Sequence, residues 1–222
     1  AILLFTVSIS LFPINDAIAK LLTADYPVAQ VVWARYLVHL TVITLLMLSQ
    51  ADTRRRFGTR RPGVQILRGT CMAVGAYAFV FALSHISVVD ALAILFLTPL
   101  IMVVLSIPVL GEQVGLHRWG AVVVGFLGVL IVMRPGLGVM HWAGSLALVA
   151  AFASALQQVL GRKLGATDHP MTSVFYTGLI GFIVASAVVP FDWHPPSGNF
   201  WPLVVVLGVI GAIAHFGVIK AL

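Results

Sequence analysis

The sequence predicts an all-α integral membrane protein built as an inverted-repeat helical bundle. Sixty per cent of its 222 residues are hydrophobic and nine per cent are charged, which leaves too little polar surface for a soluble chain of this length. A spaced trio also recurs 143 positions later: Lys20, Asp25 and Pro27 return as Lys163, Asp168 and Pro170. Such self-similarity indicates one unit used twice, and an odd number of spans between the copies would invert the second.

Apolar runs of about twenty residues, long enough to cross roughly 30 Å of hydrocarbon, predict eight membrane spans. Helices are favoured over barrel strands because the runs are continuous and do not alternate. Pro99 and Pro108 lie inside the fourth run, where we expect a bend or a freed carbonyl. The predicted spans are 1–22, 29–49, 65–85, 89–110, 115–133, 142–161, 171–191 and 200–222.

Basic residues are concentrated in alternate gaps between the spans. The gap between spans 2 and 3 contains five arginines: Arg54, Arg55, Arg56, Arg60 and Arg61. This enrichment predicts that the gap lies in the cytoplasm. The N-terminus is then cytoplasmic, span 1 runs outward and span 6 runs inward, as an inverted repeat requires.

The spans divide into two units, 1–133 with five spans and 142–222 with three. Two further spans are therefore expected to follow Leu222. Cys71 is the single cysteine and lies in an apolar run, so we expect no disulfide, no metal site and no cofactor. The net charge of +6 follows from the membrane topology and does not indicate a nucleic-acid partner.

A set of short motifs together resembles the EamA family of the drug/metabolite transporter superfamily. The motifs are Asn15-Asp16-Ala17, Lys20, Tyr26-Pro27, Arg35-Tyr36, Ala82-Leu83, Thr98-Pro99-Leu100, Leu110-Gly111-Glu112 and Trp119-Gly120. The resemblance implies ten helices in two inverted halves, a bacterial inner membrane location and a central cavity for small organic metabolites. Within the family, the chain is similar to exporters of amino acids and related compounds, including aromatic ones.

We therefore expect a secondary transporter that works by alternating access in the lipid bilayer, as a monomer or weak homodimer, with a small-molecule substrate. The alternatives are a polyspecific drug or cation exporter, a non-transporting membrane receptor and an intramembrane enzyme. Enzyme activity is not expected, because the acidic residues are scattered and the sequence contains no HExxH, GxSxG or GxGxxG motif.

Ionisable residues at membrane depth are candidates for charge coupling, since burying them in hydrocarbon is costly. Asp16 and Lys20 are four residues apart and so share one face of the helix. Either their charges neutralise each other, or Asp16 binds a proton or a substrate ammonium group. Arg35 and His39 share one side of span 2. Arg35 either anchors the span at the interface beside Trp33 or binds a substrate carboxylate.

Polar and aromatic residues in the spans are candidates for the substrate cavity. Asn15 and Gln158, also 143 positions apart, either line a cavity or hydrogen-bond between helices. Tyr77 and Phe81 share a face that suits stacking of an aromatic substrate, or serve as ordinary packing residues. Further candidates are Thr98 and Pro99 in the fourth span and His215, which is either structural or coupled to protons.

Overall fold

The computed structural model describes residues 2–49, 57–133, 142–165, 167–196, 198 and 200–221, without the side chains of 2–5, 7–9, 129–130, 132–133 and 215–221. The apolar runs form helices in the predicted order. Their bounds are α1 Ile2–Asp25, α2 Val28–Leu48, α3 Pro62–Leu83, α4 Val88–Leu95, α5 Thr98–Leu110, α6 Leu116–Met133, α7 Ala143–Gly165, α8 Pro170–Val188 and α9 Phe200–Ala221, with a short 3-10 turn at Val189–Phe191.

The prediction of an all-α membrane protein is confirmed. Five segments within the described ranges are long and apolar enough to cross a membrane: Val28–Leu48, Pro62–Leu83, Val88–Leu110, Ala143–Gly165 and Pro170–Phe191. Many large apolar side chains on these helices point outward, among them Leu45, Val104 and Ile183. Outward-facing apolar side chains are expected where lipid replaces water.

The fourth span is broken into α4 and α5 at Phe96 and Leu97. The break comes just before Pro99, which has no amide hydrogen to continue the helix, so the predicted disturbance is confirmed at this proline. Pro108 instead remains inside α5. Gly111 ends α5 in the left-handed conformation, with φ at 71°, a position where glycine avoids the steric penalty of a side chain.

The first turn of α4 is capped by Ser87, whose hydroxyl accepts a hydrogen bond from the Asp90 amide at 3.0 Å. The hydroxyl in turn donates to the Asp90 carboxylate at 2.6 Å. Ser87 and Asp90 thus bond to each other in both directions at the start of α4. At the end of α5, Glu112 forms an ion pair with Arg118 at 3.9 Å.

Loops meet at two ends of the bundle, which we name by one residue each. The Arg60 end comprises residues 57–61, 111–115, 162–165 and 167–169, and it is joined by an ion pair of 3.3 Å between Arg162 and Glu112. The His194 end comprises residues 25–27, 84–87 and 192–196. Tyr26 contacts Phe200 there, with ring centroids 4.5 Å apart.

Helices of the two predicted units pack against each other across the bundle. The most extensive contact joins α3 to α7, and the next joins α1 to α9; α2 lies against α8. Close approach of α2 and α8 depends on Gly178 and Gly181, because small residues let helix backbones come close together. A methyl group on Gly178 would press on the His39 ring, and one on Gly181 would overlap the Tyr36 ring.

Alanine at Gly181 is therefore expected to lower stability, by about 1–3 kcal/mol for overpacking a well-filled site. Gly120 in α6 is the control, because a methyl group there meets nothing within 4 Å and alanine is the better helix former. Thermal unfolding of the purified variants in detergent measures the difference. Equal midpoints for G181A and G120A would contradict the close α2–α8 contact.

Candidate functional site

A narrow pocket lies between α2, α3, α8 and α9 in the middle of the bundle. Its lining residues are Arg35, Tyr36, His39, Met72, Thr177, Gly208 and Gly211. The pocket has room for about one water molecule. This conformation is therefore closed around the pocket, and a larger solute would enter only after helices separate.

Arg35 supplies a positive charge to this pocket. Within the described residues it makes no hydrogen bond and no ion pair within 4 Å. The Asp16 carboxylate on α1, 8% exposed, interacts electrostatically with Arg35 across the bundle. The pocket thus combines a guanidinium that has no hydrogen-bond partner in the described part of the chain with a nearby carboxylate, an arrangement that suits a solute bearing both charges.

The predicted pairing of Asp16 with Lys20 is not present between these described residues. Lys20 instead donates to the carbonyl oxygens of Leu83, at 2.8 Å, and of Ile86. The Leu83 carbonyl lies at the C-terminal end of α3, where backbone oxygens lack helical partners and the helix dipole is negative, and the Ile86 carbonyl lies in the loop that follows. Lys20 therefore links α1 to the end of α3. Asp16 does not pair with Lys20 and instead interacts electrostatically with Arg35.

Three buried polar atoms near the pocket have no hydrogen-bond partner within the described residues: Asn15 Oδ1, the Tyr36 hydroxyl and the Tyr77 hydroxyl. Asn15 donates through Nδ2 to the Leu207 carbonyl and lies beside Gly211 of the pocket. Tyr77 packs against the buried cluster that contains Tyr36. Because buried polar groups are nearly always satisfied, these atoms mark places where a polar ligand or ordered water would bind.

Phe81 and Gln158, which were predicted for the substrate cavity, lie away from this pocket. Phe81 is 40% exposed and stacks on His85 at the His194 end, with ring centroids 4.9 Å apart. Gln158 is exposed, and within the described residues its side chain bonds only to its own helix, at the Ser154 carbonyl. The neighbouring Gln157 is the more enclosed amide, and its Oε1 is buried.

The fourth-span candidates also do not line the pocket. The Thr98 hydroxyl contacts the Ala151 carbonyl at 3.5 Å and so belongs to the α5–α7 contact, while Pro99 is exposed. His215 lies in α9, but its side chain is outside the described residues. Of the predicted residues, the structure brings Arg35 and His39 to the pocket lining, with Asn15, Asp16 and Tyr77 close behind.

Hydrogen bonds close the bundle at the Arg60 end, and Asp168 is at their centre. The Asp168 carboxylate accepts from the Thr59 hydroxyl, from the Arg60 amide at 3.2 Å and from the Gln65 side chain at 2.9 Å. Gln65 also donates to Ser173, at 3.0 Å. We call Thr59, Arg60, Gln65, Asp168 and Ser173 the Asp168 clasp. It joins the start of α3 to the start of α8.

A second clasp closes the His194 end. The buried amide of Gln30, near the start of α2, donates to the His194 carbonyl at 2.8 Å and accepts from the His194 amide at 3.0 Å. Trp33 adds a hydrogen bond of 3.0 Å to Ser186 and an edge-on contact with Trp193. This Gln30 clasp joins α2 to the loop before α9. The pocket is therefore shut off at both ends of the bundle.

Burial by itself would raise the pKa of Asp168, but hydrogen bonds from Thr59, Gln65 and the Arg60 amide outweigh burial and hold the pKa below its ordinary value of 3.8. A lowered pKa in the folded state means that the ionised carboxylate stabilises the fold. This contribution is complete above the ordinary value and is lost as the pH falls through the lower native pKa.

The stability difference between the wild type and Asp168→Asn is accordingly expected to be largest near pH 7 and to shrink toward about pH 3. Thermal unfolding over this range measures it. Asp25→Asn is the control, because Asp25 is the counterpart of Asp168 in the predicted repeat but is exposed. A difference that stays constant with pH would mean that the Asp168 carboxylate contributes no charge-dependent stability.

Several residues of the site were not identified from the sequence. Tyr36, Met72 and Thr177 line the pocket, while Gln30 and Gln65 build the clasps. The two glutamines could have been found by the rule that selected Asn15, since each is a polar side chain in an apolar run. Within the described residues, no three His, Cys, Asp or Glu side chains are grouped to hold a metal ion.

Comparisons with known proteins agree with this architecture. Residues 1–134 match the EamA-like transporter family. An S-adenosylmethionine uptake transporter of Rickettsia prowazekii is 26% identical over 98% of this chain and 73% of its own length. A riboflavin transporter of Vibrio cholerae is 28% identical over 95% of this chain and 72% of its own. The pseudopaline exporter CntI of Pseudomonas aeruginosa is 25% identical over 95% and 74%, respectively.

Proposed function

Because this chain belongs to the EamA-like transporter family, we propose that it moves a small organic metabolite through the central pocket by alternating access. As a multi-pass bacterial membrane protein, it would lie in the inner membrane with its N-terminus and its Arg60 end in the cytoplasm. The observation that carries the proposal is a pocket between apolar helices that is lined by Arg35, a cation with no hydrogen-bond or ion-pair partner in the described part of the chain. Placing an unpaired cation among membrane helices is energetically costly, so its presence indicates that a ligand binds there.

The packing of the helices supports an inverted repeat, with residues 1–133 and 142–222 as its two units. A twofold exchange of the units would replace α1 by α7, α2 by α8 and α3 by α9. The exchange turns the α1–α9 contact into the α7–α3 contact, and these are the two most extensive contacts in the bundle. It leaves α2 on α8. Such a relationship is typical of carriers whose halves rock about a midplane site.

The two clasps support alternating access. Each joins the start of a helix in one unit to a loop or helix start in the other, since Gln30 binds the loop before α9 and Asp168 binds the start of α3. In the twofold exchange the two clasps replace each other. Opening one clasp at a time would give the pocket access to one side of the membrane and then to the other.

The charges suggest a solute with an anionic and a cationic group, such as an amino acid or a compound containing one. Arg35 would bind the carboxylate, Asp16 the ammonium group, and Tyr36 and Tyr77 could add hydrogen bonds or ring contacts for an aromatic portion. We propose export as the direction, from the resemblance described above. The relatives include both an uptake transporter and an exporter, so direction needs its own measurement.

Transport by purified protein in liposomes tests the proposal. A labelled panel would comprise phenylalanine, an aliphatic amino acid, S-adenosylmethionine, riboflavin and a hydrophobic cation. We expect saturable movement of at least one zwitterionic member, and weaker competition by its amide than by its acid. Preference for the hydrophobic cation would support a drug exporter, and no movement of any member above empty liposomes would contradict the proposed function.

A further inference from the structure

We propose that Arg68 is a second anion-binding site, which takes the anionic group of the solute when the bundle opens at the Arg60 end. The inference rests on the proposed function and extends the solute's path beyond the pocket. Arg68 lies on α3 and is 8% exposed. Within the described residues it has no carboxylate partner within 4 Å.

The contacts of Arg68 do not explain its charge. Its Nη1 donates to the Ser173 carbonyl at 2.9 Å and to the Thr177 hydroxyl at 2.6 Å, whereas its buried Nε has no partner in the described part of the chain. Both acceptors are neutral, so an uncharged amide could bind them without the cost of burying a cation. A guanidinium at this position is better explained by an anion that binds in another conformation.

Thr177 connects Arg68 to the pocket. Its side chain lines the pocket together with Arg35 and accepts the hydrogen bond from Arg68. Arg35 is seven residues from the start of α2, about 10 Å along the helix from the His194 end. Arg68 is six residues from the start of α3, about 9 Å along the helix from the Arg60 end. The two cations therefore lie on opposite sides of the pocket along the bundle axis.

Opening at the Arg60 end would expose Arg68. Both of its present acceptors belong to α8, and the start of α8 is held to α3 by the Asp168 clasp. When the clasp releases and the two helices separate, the guanidinium loses these neutral partners and faces the widened cavity. A carboxylate or phosphate on the solute would replace them with stronger, charge-assisted hydrogen bonds. Arg35 and Arg68 would thus bind the same group in succession.

The test is a sided measurement of affinity in oriented proteoliposomes, with the panel solute that the wild type moves. We expect Arg68→Gln to raise the half-saturating concentration about tenfold or more when the solute is supplied at the Arg60 end. From the His194 end the change should stay within about twofold. Arg68→Lys should recover part of the loss, and an amide of the solute, which lacks the anionic group, should be insensitive to all three side chains.

Equal losses from both ends, or no loss from either, would overturn the role of Arg68 while leaving the proposed function intact. Absence of transport by the wild type would overturn both. If Arg68→Gln does not fold, the wild type provides the measurement: the arginine reagent phenylglyoxal is applied at the Arg60 end, and modification of Arg68 is followed by mass spectrometry. The solute should protect Arg68 and its amide should not; failure of the solute to protect would refute the proposal.

Discussion

Arg35→Gln is expected to weaken solute binding by about ten- to a hundredfold, as an increase in the half-saturating concentration. The estimate follows from the 1.5–3 kcal/mol typical of a hydrogen bond to a charged group and from a factor of ten for each 1.4 kcal/mol. Glutamine keeps much of the length and polarity of the side chain but removes the charge from the pocket. Concentration-dependent uptake into proteoliposomes measures the effect.

Arg118→Gln is the matched control for Arg35→Gln. It removes one positive charge as well, but from an exposed side chain near the α5–α6 loop, 65% of which is accessible to solvent. We expect transport by this variant to remain near that of the wild type. Arg35→Lys keeps the charge without the planar, two-pronged donor and should have an intermediate affinity. Equal affinity of Arg35→Gln and the wild type would argue that Arg35 only anchors α2 at the interface.

A companion change at Asp16 separates the two charges of the proposed solute. Asp16→Asn should reduce competition by compounds that carry an amine, whereas Arg35→Gln should reduce competition by compounds that carry a carboxylate. If the two variants lost the same compounds to the same degree, the residues would act on each other rather than on separate groups of the solute.

The fold was predictable because membrane helices need long apolar runs, and such runs can be recognised directly in a sequence. The break before Pro99 was predictable for the same local reason, since proline lacks an amide hydrogen. Helix ends were less predictable: α1 continues to Asp25, three residues beyond its predicted end. Thr23 and Asp25 are polar but still helical, which hydropathy alone does not reveal.

Residues of the candidate site could be predicted from the sequence only where a polar side chain lies within an apolar run. Arg35, His39 and Asn15 were found because they are polar residues within apolar runs. The repeat offset predicted Gln158 and not Gln157. Adjacent side chains on a helix point about 100° apart, and which of the two faces the bundle is set by how α7 packs.

Partners across the bundle were the least predictable part of the site. The four-residue spacing of Asp16 and Lys20 correctly places them on one helix face. It does not predict that Lys20 donates instead to the Leu83 and Ile86 carbonyls. The Asp168 clasp has the same character, because Gln65 and Asp168 are 103 positions apart. Sequence spacing predicts neighbours along a helix, and it does not predict contacts made by folding.

Asp168→Ala is expected to shift the protein toward the conformation open at the Arg60 end by about five- to a hundredfold. The change removes the acceptor of three hydrogen bonds, from Thr59, Arg60 and Gln65. Of these donors the Gln65 amide is fully buried. Leaving a buried donor unsatisfied costs about 1–3 kcal/mol, and separation of α3 from α8 lets water satisfy it. The open conformation therefore gains relative to the closed one.

The reporter for this shift is a cysteine in the pocket, Met72→Cys, in a Cys71→Ala background that removes the native thiol. A membrane-impermeant maleimide applied at the Arg60 end should label the Asp168→Ala protein about five- to a hundredfold faster than its parent, because labelling is limited by the open population. Asp25→Ala, at the exposed counterpart position, should not change the rate.

Gln30→Ala tests the same mechanism from the opposite side. It removes the two hydrogen bonds that Gln30 makes to His194, so labelling should accelerate from the His194 end and slow from the Arg60 end. Opposite responses of the two variants are required if the clasps open alternately, since each conformation gains only when its own clasp is weakened. Faster labelling from both ends in either variant would indicate general loosening of the bundle and would contradict a role for the clasps as gates.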